Sequence, residues 1–231
     1  MSRKRFAALG AAAVATLALG NFSGVAAAAP VDLVTNGGFE TPALGWGSWN
    51  VFSSIPGWSV ASGCGIEIQN HVAGSPFEGR QYTELDSNCP SAISQVLTTE
   101  PGRYYTLSYA FSARPGVNAA DNVLRPSWDG TPLTARTADG LGLSDTSWTV
   151  HTEKVKATGS ATSLVFADGG TRNGVGTYLD AVSVTGALPE GIGDCKKGDW
   201  KRYVDDGGAP FKNQGDCVSF VATEESNRAD G

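Results

Sequence analysis

The sequence predicts an all-β protein, a jelly-roll β-sandwich with a small disulfide-closed C-terminal extension, and three observations carry that expectation. From Tyr104 to Gly116 the residues Tyr105, Leu107, Tyr109, Phe111 and Ala113 alternate with small or polar neighbours, the period of a strand with one buried face. Pro101-Gly102 and Pro115-Gly116 mark turns at its two ends. Thirty glycines and eleven prolines, with few helix-forming runs, suit many short strands joined by turns. A sheet with one apolar face needs a second sheet to cover it, which makes a sandwich.

At the N-terminal end, Ser2-Arg3-Lys4-Arg5 and the Ala-, Leu- and Val-rich run to Gly20 read as a secretory signal peptide over residues 1–28, with Ala26 and Ala28 suited to cleavage before Ala29. Its removal would leave 14 of the 17 basic residues against all 23 acidic ones, a net charge near −9. An acidic surface argues against nucleic acid and anionic lipid as partners. No later stretch is apolar for long enough to span a bilayer, so the expected product is secreted and extracellular. Four cysteines in an exported chain imply two disulfides. Of three connectivities the local one, Cys64 with Cys89 and Cys195 with Cys217, is the simplest. The two histidines, His71 and His151, show no zinc-ligand spacing with a cysteine pair.

In order, Val31 to Val34 reads as a short strand and Thr35 to Glu40 as a Gly-rich turn ending in a carboxylate. Ala43 to Ser54 reads as a loop rich in aromatic residues, either a sugar-stacking surface or a plug at one end of the sandwich. Strands are expected at Trp58 to Val60, Gly65 to Gln69 and Gly79 to Asp86, the last with Tyr82, Glu84 and Asp86 on one face. Ile93 to Leu97 leads into the Tyr104 strand. Val123 to Trp128 is interrupted by Pro126, which predicts an edge strand or a bulge. Asp129-Gly130 is a hairpin turn towards Pro132 to Ala135, and Thr146 to Lys156, Ser163 to Phe166 and Thr177 to Thr185 close the domain. The sandwich is thus set at 29–185, a linker at 186–194, a disulfide-bracketed element at 195–221 and a polar tail at 222–231.

The motifs Leu33-Val34-Thr35-Asn36-Gly37-Gly38-Phe39-Glu40, Ile55-Pro56-Gly57-Trp58, Gly65-Ile66-Glu67, Gln81-Tyr82-Thr83-Glu84-Leu85-Asp86, Ser94-Gln95, Pro101-Gly102-Arg103-Tyr104, Arg114-Pro115-Gly116 and Tyr178-Leu179-Asp180 stand in one order along the chain. Together they resemble family 642 of the domains of unknown function, over about Val31 to Thr185. The resemblance implies a secreted domain with the galactose-binding-like jelly-roll fold of many carbohydrate-binding modules. Pro126, and Ala181 after Asp180, depart from the family pattern. The tail from Cys195 to Val221 is similar to a short two-cysteine element of exported bacterial proteins.

Enzyme motifs are missing: there is no Gly-x-Ser-x-Gly elbow, His-Glu-x-x-His or phosphate-binding glycine loop. Glu67, Glu84 and Asp86 could lie on neighbouring strands as the carboxylate pair of a glycoside hydrolase, though surface acids are the commoner use. Glu40 and Asp180 could hold a structural calcium ion where first and last strands meet, or could form an ion-free hydrogen-bonded cap. No organic cofactor is expected. The leading function is a non-catalytic carbohydrate-binding domain for cell-wall or extracellular polysaccharide. Trp46, Trp49, Trp58 and Tyr82 would be its aromatic surface and Glu67, Gln81, Asp86 and Arg114 its hydrogen-bonding partners. A protein-binding or structural module of the cell envelope is the alternative, and a hydrolase the third.

Overall fold

The computed structural model describes residues 30–229, so the expected signal peptide lies outside the described residues. Thirteen strands occur among them: β1 (Ser48–Phe52), β2 (Ser54–Ile55), β3 (Trp58–Ser62), β4 (Ile66–Asn70), β5 (Tyr82–Glu84), β6 (Ala92–Thr98), β7 (Tyr104–Ser112), β8 (Val123–Trp128), β9 (Thr131–Pro132), β10 (Arg136–Thr137), β11 (Thr149–Lys156), β12 (Ala161–Asp168) and β13 (Tyr178–Gly186). Two antiparallel sheets pack face to face. One has the order β1-β4-β5-β13-β7-β11, the other β10-β8-β12-β6-β3-β2, with β9 beside β8. The chain forms a jelly-roll β-sandwich.

In β7 the alternation works as the sequence implies. Tyr105, Leu107, Tyr109 and Phe111 are buried, while Tyr104, Thr106 and Ser108 are half-buried. Its partners in the ladder are β13 and β11. Across the core, Tyr109 meets Phe166 of β12 edge-on at 5.1 Å, and Phe166 meets Trp58 at 6.3 Å. Ile66, Ile68, Ile93, Leu97, Leu164, Leu179 and Val184 fill the remaining space between the sheets. The Cys64–Cys89 bond joins the turn after β3 to the loop before β6.

Three local readings change. Val31 to Val34 is not a strand; Leu33 donates one amide bond to the Val184 carbonyl, but the Val184 amide goes to the Asp32 carboxylate, so a side chain replaces the ladder. The aromatic stretch from Ala43 to Ser54 is not all loop, because β1 pairs with β4 along five residues. Pro126 lies inside β8, second from the sheet edge, yet costs no ladder bond. On the side away from β12, the partners are β10 at Val123 and Leu124 and β9 at Ser127 and Trp128. The proline faces the gap between them, where only its carbonyl is used, by the Leu133 amide.

The expected linker is folded. Gly186 ends β13, and buried Ala187 donates to the Tyr104 carbonyl and accepts from the Val204 amide. Beyond it are two 3-10 turns (Ile192–Cys195 and Asp199–Arg202) and α1 (Gln214–Ala229), which replaces most of the expected polar tail. Cys195 and Cys217 are bonded, and with Tyr203, Phe211 and Val221 they form a second small core. Cys217 and Val221, four apart, set the buried stripe of the helix. No helix among the described residues is long and apolar enough to cross a membrane.

Candidate functional site

The face of the six-stranded sheet turned away from the core carries the polar chemistry. Register aligns Val51 of β1, Glu67 of β4, Glu84 of β5, Tyr178 of β13 and Ser112 of β7 in one row across five strands. In the next row Trp49 stands beside Gln69 and Tyr82. An open sheet would leave these groups in water, but residues 71–80, between β4 and β5, cross the face as a strap. The Tyr178 hydroxyl donates to the Ala73 carbonyl at 3.4 Å, the Tyr82 hydroxyl lies 3.4 Å from the Gly74 carbonyl, and Trp148 Nε1 donates to the Ser75 carbonyl at 2.8 Å. Asp145 receives the Ser75 amide and hydroxyl, at 2.7 and 2.8 Å.

Beneath the strap, Glu84 is fully buried and surrounded by donors. Arg114 Nη1 lies 2.8 Å from both carboxylate oxygens, Gln69 Nε2 2.5 Å from Oε2 and the Gly176 amide 2.9 Å from Oε1. Burial pushes the Glu84 carboxyl up to about 8, with Arg114 pulling the other way. The same Gln69 Nε2 donates to Glu67 Oε1 at 2.8 Å, and the Tyr82 hydroxyl donates to Gln69 Oε1 at 2.9 Å. Glu67 and Glu84 are thus bridged by one amide nitrogen. That filled space cannot take the sugar and water that a pair of hydrolytic carboxylates must hold between them.

The expected site residues fall into five places. Trp46 is 76 % exposed and stacks on His71 with centroids 3.7 Å apart, and Trp49 is 55 % exposed on the edge strand β1. Trp58 is 1 % exposed, held between Phe39 and Phe166 with its Nε1 donating to the Asn36 carbonyl, so it presents no face to a ligand. Gln81 is also structural. Its Nε2 donates to the carbonyls of Phe39 and Pro42 and its Oε1 accepts the Leu44 amide, which shapes the turn before β1. Glu67, Tyr82 and Arg114 belong to the covered cluster, with Glu67 and Tyr82 buried. Asp86 lies past the end of β5, buried, and takes the amides of Asn173 and Gly174 on Oδ2.

Glu40 and Asp180 act as amide acceptors. Glu40 Oε1 takes the amides of Arg80 and Gln81, Asp180 Oδ2 those of Phe77 and Glu78, and Asp180 Oδ1 that of Ala181 at 2.7 Å. Donors pointed at these oxygens hold the end of the strap. Ala181 has φ +49° where β13 shifts register, which turns its amide back onto Asp180. Among the described residues no three His, Cys, Asp or Glu side chains converge as a metal site. Sequence reasoning missed Gln69, His71, Asp145, Trp148 and Tyr178. The alternation of Glu67 with Gln69 and of Trp148 with Val150 could have placed two of these on the outer face.

No family model and no curated protein matches this sequence. Among solved structures, the chain is similar to an arabinose-bound GH51 α-L-arabinofuranosidase. There the identity is 15 % and the TM-score 0.48, over 71 % of this chain and 28 % of that one. It is also similar to a family 35 carbohydrate-binding module from Clostridium thermocellum, at 11 % identity and TM-score 0.40, over 69 % of this chain and all of that one. A third is the module TmCBM61 in complex with β-1,4-galactotriose, at 14 % identity and TM-score 0.39, over 68 % and 99 %.

Proposed function

We propose that this chain is an exported, non-catalytic carbohydrate-binding domain that holds neutral polysaccharide on Trp46 and Trp49. The observation that carries the reading is the exposure of two tryptophans at one sheet edge, one of them stacked on His71. Large rings left in water and held rigid form a surface awaiting an apolar partner. Sugar rings supply such a partner through their C–H faces. His71 Nδ1 is joined to Asn70 Oδ1 at 2.9 Å, which fixes the ring under Trp46 and leaves Nε2 as a polar group at the platform. The acidic charge of the chain disfavours anionic polymers.

The test is retention on insoluble neutral polysaccharides at low and high salt, for the wild type and for Trp46→Ala/Trp49→Ala. Retention should persist at high salt, because an uncharged ligand is not screened, and it should disappear in the double variant with little change in melting temperature. Equal retention in both proteins would refute the platform. Failure of the wild type on every glycan would favour the protein-binding or structural module of the cell envelope.

A further inference from the structure

Arg103 is a buried cation that the fold leaves half satisfied. Its side chain is 10 % exposed, and Nη2 donates to Glu100 Oε2 at 2.7 Å, but Nε is sealed and has no hydrogen-bond partner. The Nε–H and Nη2 of a guanidinium form one edge, which matches the two oxygens of a carboxylate. Glu100 takes only half of that edge. Its side chain is 68 % exposed in the turn before β7, so water competes for the bond it makes. A buried donor without an acceptor is costly and calls for a partner.

The space beside Arg103 has the walls for one. Arg103 lines a cavity of about 230 Å³ where the segment ahead of β1, the turn between β6 and β7 and the end unit meet. A cavity of ~150 Å³ is enough to hold benzene. Val31, Leu33 and Val204 give this one an apolar side, and Arg103, Thr98 and Tyr105 a polar side. The Tyr105 hydroxyl accepts the Glu100 amide at 2.9 Å, and among the described residues its own proton has no acceptor. We propose that this cavity binds an aliphatic carboxylate, that of a small free acid or of a peptide C-terminus. Arg103 Nε and Nη2 take its oxygens, the Tyr105 hydroxyl donates to one of them, the alkyl group lies against Leu33 and Val204, and Glu100 is released into water. A monoanion fits better than a dianion such as phosphate, because Glu100 is adjacent and the chain carries 23 acidic against 17 basic residues. The site shares no residue with the Trp46 and Trp49 platform and does not rest on the glycan reading.

The experiment titrates the full chain at constant ionic strength with sodium isovalerate, its neutral amide, sodium phosphate, and an acetylated dileucine peptide with a free or an amidated C-terminus. Binding is read from the Arg103 Nε–H signal in proton–nitrogen correlation spectra, assigned with Arg103→Lys, and from the melting temperature. At least one of the two carboxylates should shift that signal and raise melting, and the tighter of them identifies the source. Both amides should do neither, and phosphate should bind about tenfold more weakly or worse. Arg103→Gln should weaken carboxylate binding about tenfold or more, and Tyr105→Phe by less. Glu100→Gln removes the competing carboxylate at an exposed position and should tighten binding severalfold, which a purely structural Arg103 would not produce. No binding of either carboxylate by the wild type overturns the proposal, as does equal binding of the amides or of phosphate. Should Arg103→Gln fail to fold, Glu100→Gln decides, and an unchanged or weakened affinity in that variant overturns the site.

Discussion

Glu84 and Arg114 depend on each other unequally: the carboxylate side chain has no exposed surface and the guanidinium side chain keeps 24 % of its own. Removing the arginine strands a buried acid, whereas removing the acid frees a cation that can reach water. Where Glu84 is ionised, Arg114→Ala should therefore cost about 3 kcal/mol, the low end for breaking a buried pair from one side, and Glu84→Gln clearly less. Urea denaturation of both single variants and of Glu84→Gln/Arg114→Met would measure the coupling. The sign with pH is fixed by burial. Glu84 in the fold sits at about 8, above its ordinary 4.5, so the folded chain binds a proton that the unfolded one releases. Its contribution is then fully present below pH 4.5 and declines as pH rises through about 8. Without Arg114 the carboxyl rises further, so the deficit of Arg114→Ala should be larger at pH 8 than at pH 5. A deficit constant across that range would show that Glu84 is not the group exposed by the loss.

The strap over residues 71–80 is held at its middle and its end by acceptors distant in sequence. At its middle, Ser75 donates its amide and hydroxyl to Asp145, and its carbonyl accepts from Thr146 Oγ1 and Trp148 Nε1. The hydrogen bonds that Asp145 accepts, led by that of the Ser75 hydroxyl and followed by that of the Thr146 amide, hold its carboxyl below its ordinary 3.8. Its anchoring is therefore complete above pH 3.8 and is lost as pH falls further through the folded value. Asp145→Ala should raise amide exchange at residues 73–78 at neutral pH and change Trp148 fluorescence, while exchange in β7 and β12 stays slow. Acidification of the wild type below pH 3.8 should reproduce the change. Slow exchange at 73–78 in the variant would mean that the bonds from Asp180, Thr146 and Trp148 hold the strap without Asp145.

The molecule has two cores of unequal size, the sandwich and the disulfide-bracketed unit at its end. Contact between them runs through Tyr104, whose ring stacks on Tyr203 at 5.2 Å, and through Val204, which rests on the backbone of Gly186 where a Cβ would come within 2.7 Å of Cγ2. Lys154 reaches Glu190 at 2.7 Å, an exposed pair worth little. A unit with a core this small relies on its cross-link, and closing a loop of 22 residues contributes about 3 kcal/mol. Cys195→Ser/Cys217→Ser should therefore unfold the helix and release Tyr203 and Val204 to exchange, with the sandwich transition little changed. Loss of both transitions together would show that the end unit is part of the main cooperative fold.

What the sequence determined by itself is what a local pattern can encode. Alternation in β7 set its buried face, turn pairs set its ends, and cysteine spacing anticipated the local disulfides. These depend on neighbours one or two residues apart, or on loop closure, and so they can be read along the chain. Trp46 and Trp58 are the same residue type in similar Gly-rich surroundings, yet one lies in solvent and the other between Phe39 and Phe166. Only the tertiary structure separated them. It also decided that Glu67, Tyr82 and Glu84 would be covered. Whether the polar face of a sheet meets water depends on a segment with no period of its own, fixed by Asp145 and Asp180 from 70 and 103 residues away. A hydrogen bond that closes so long a loop leaves no periodic trace in the sequence, because it requires only two compatible groups and a fold that brings them together.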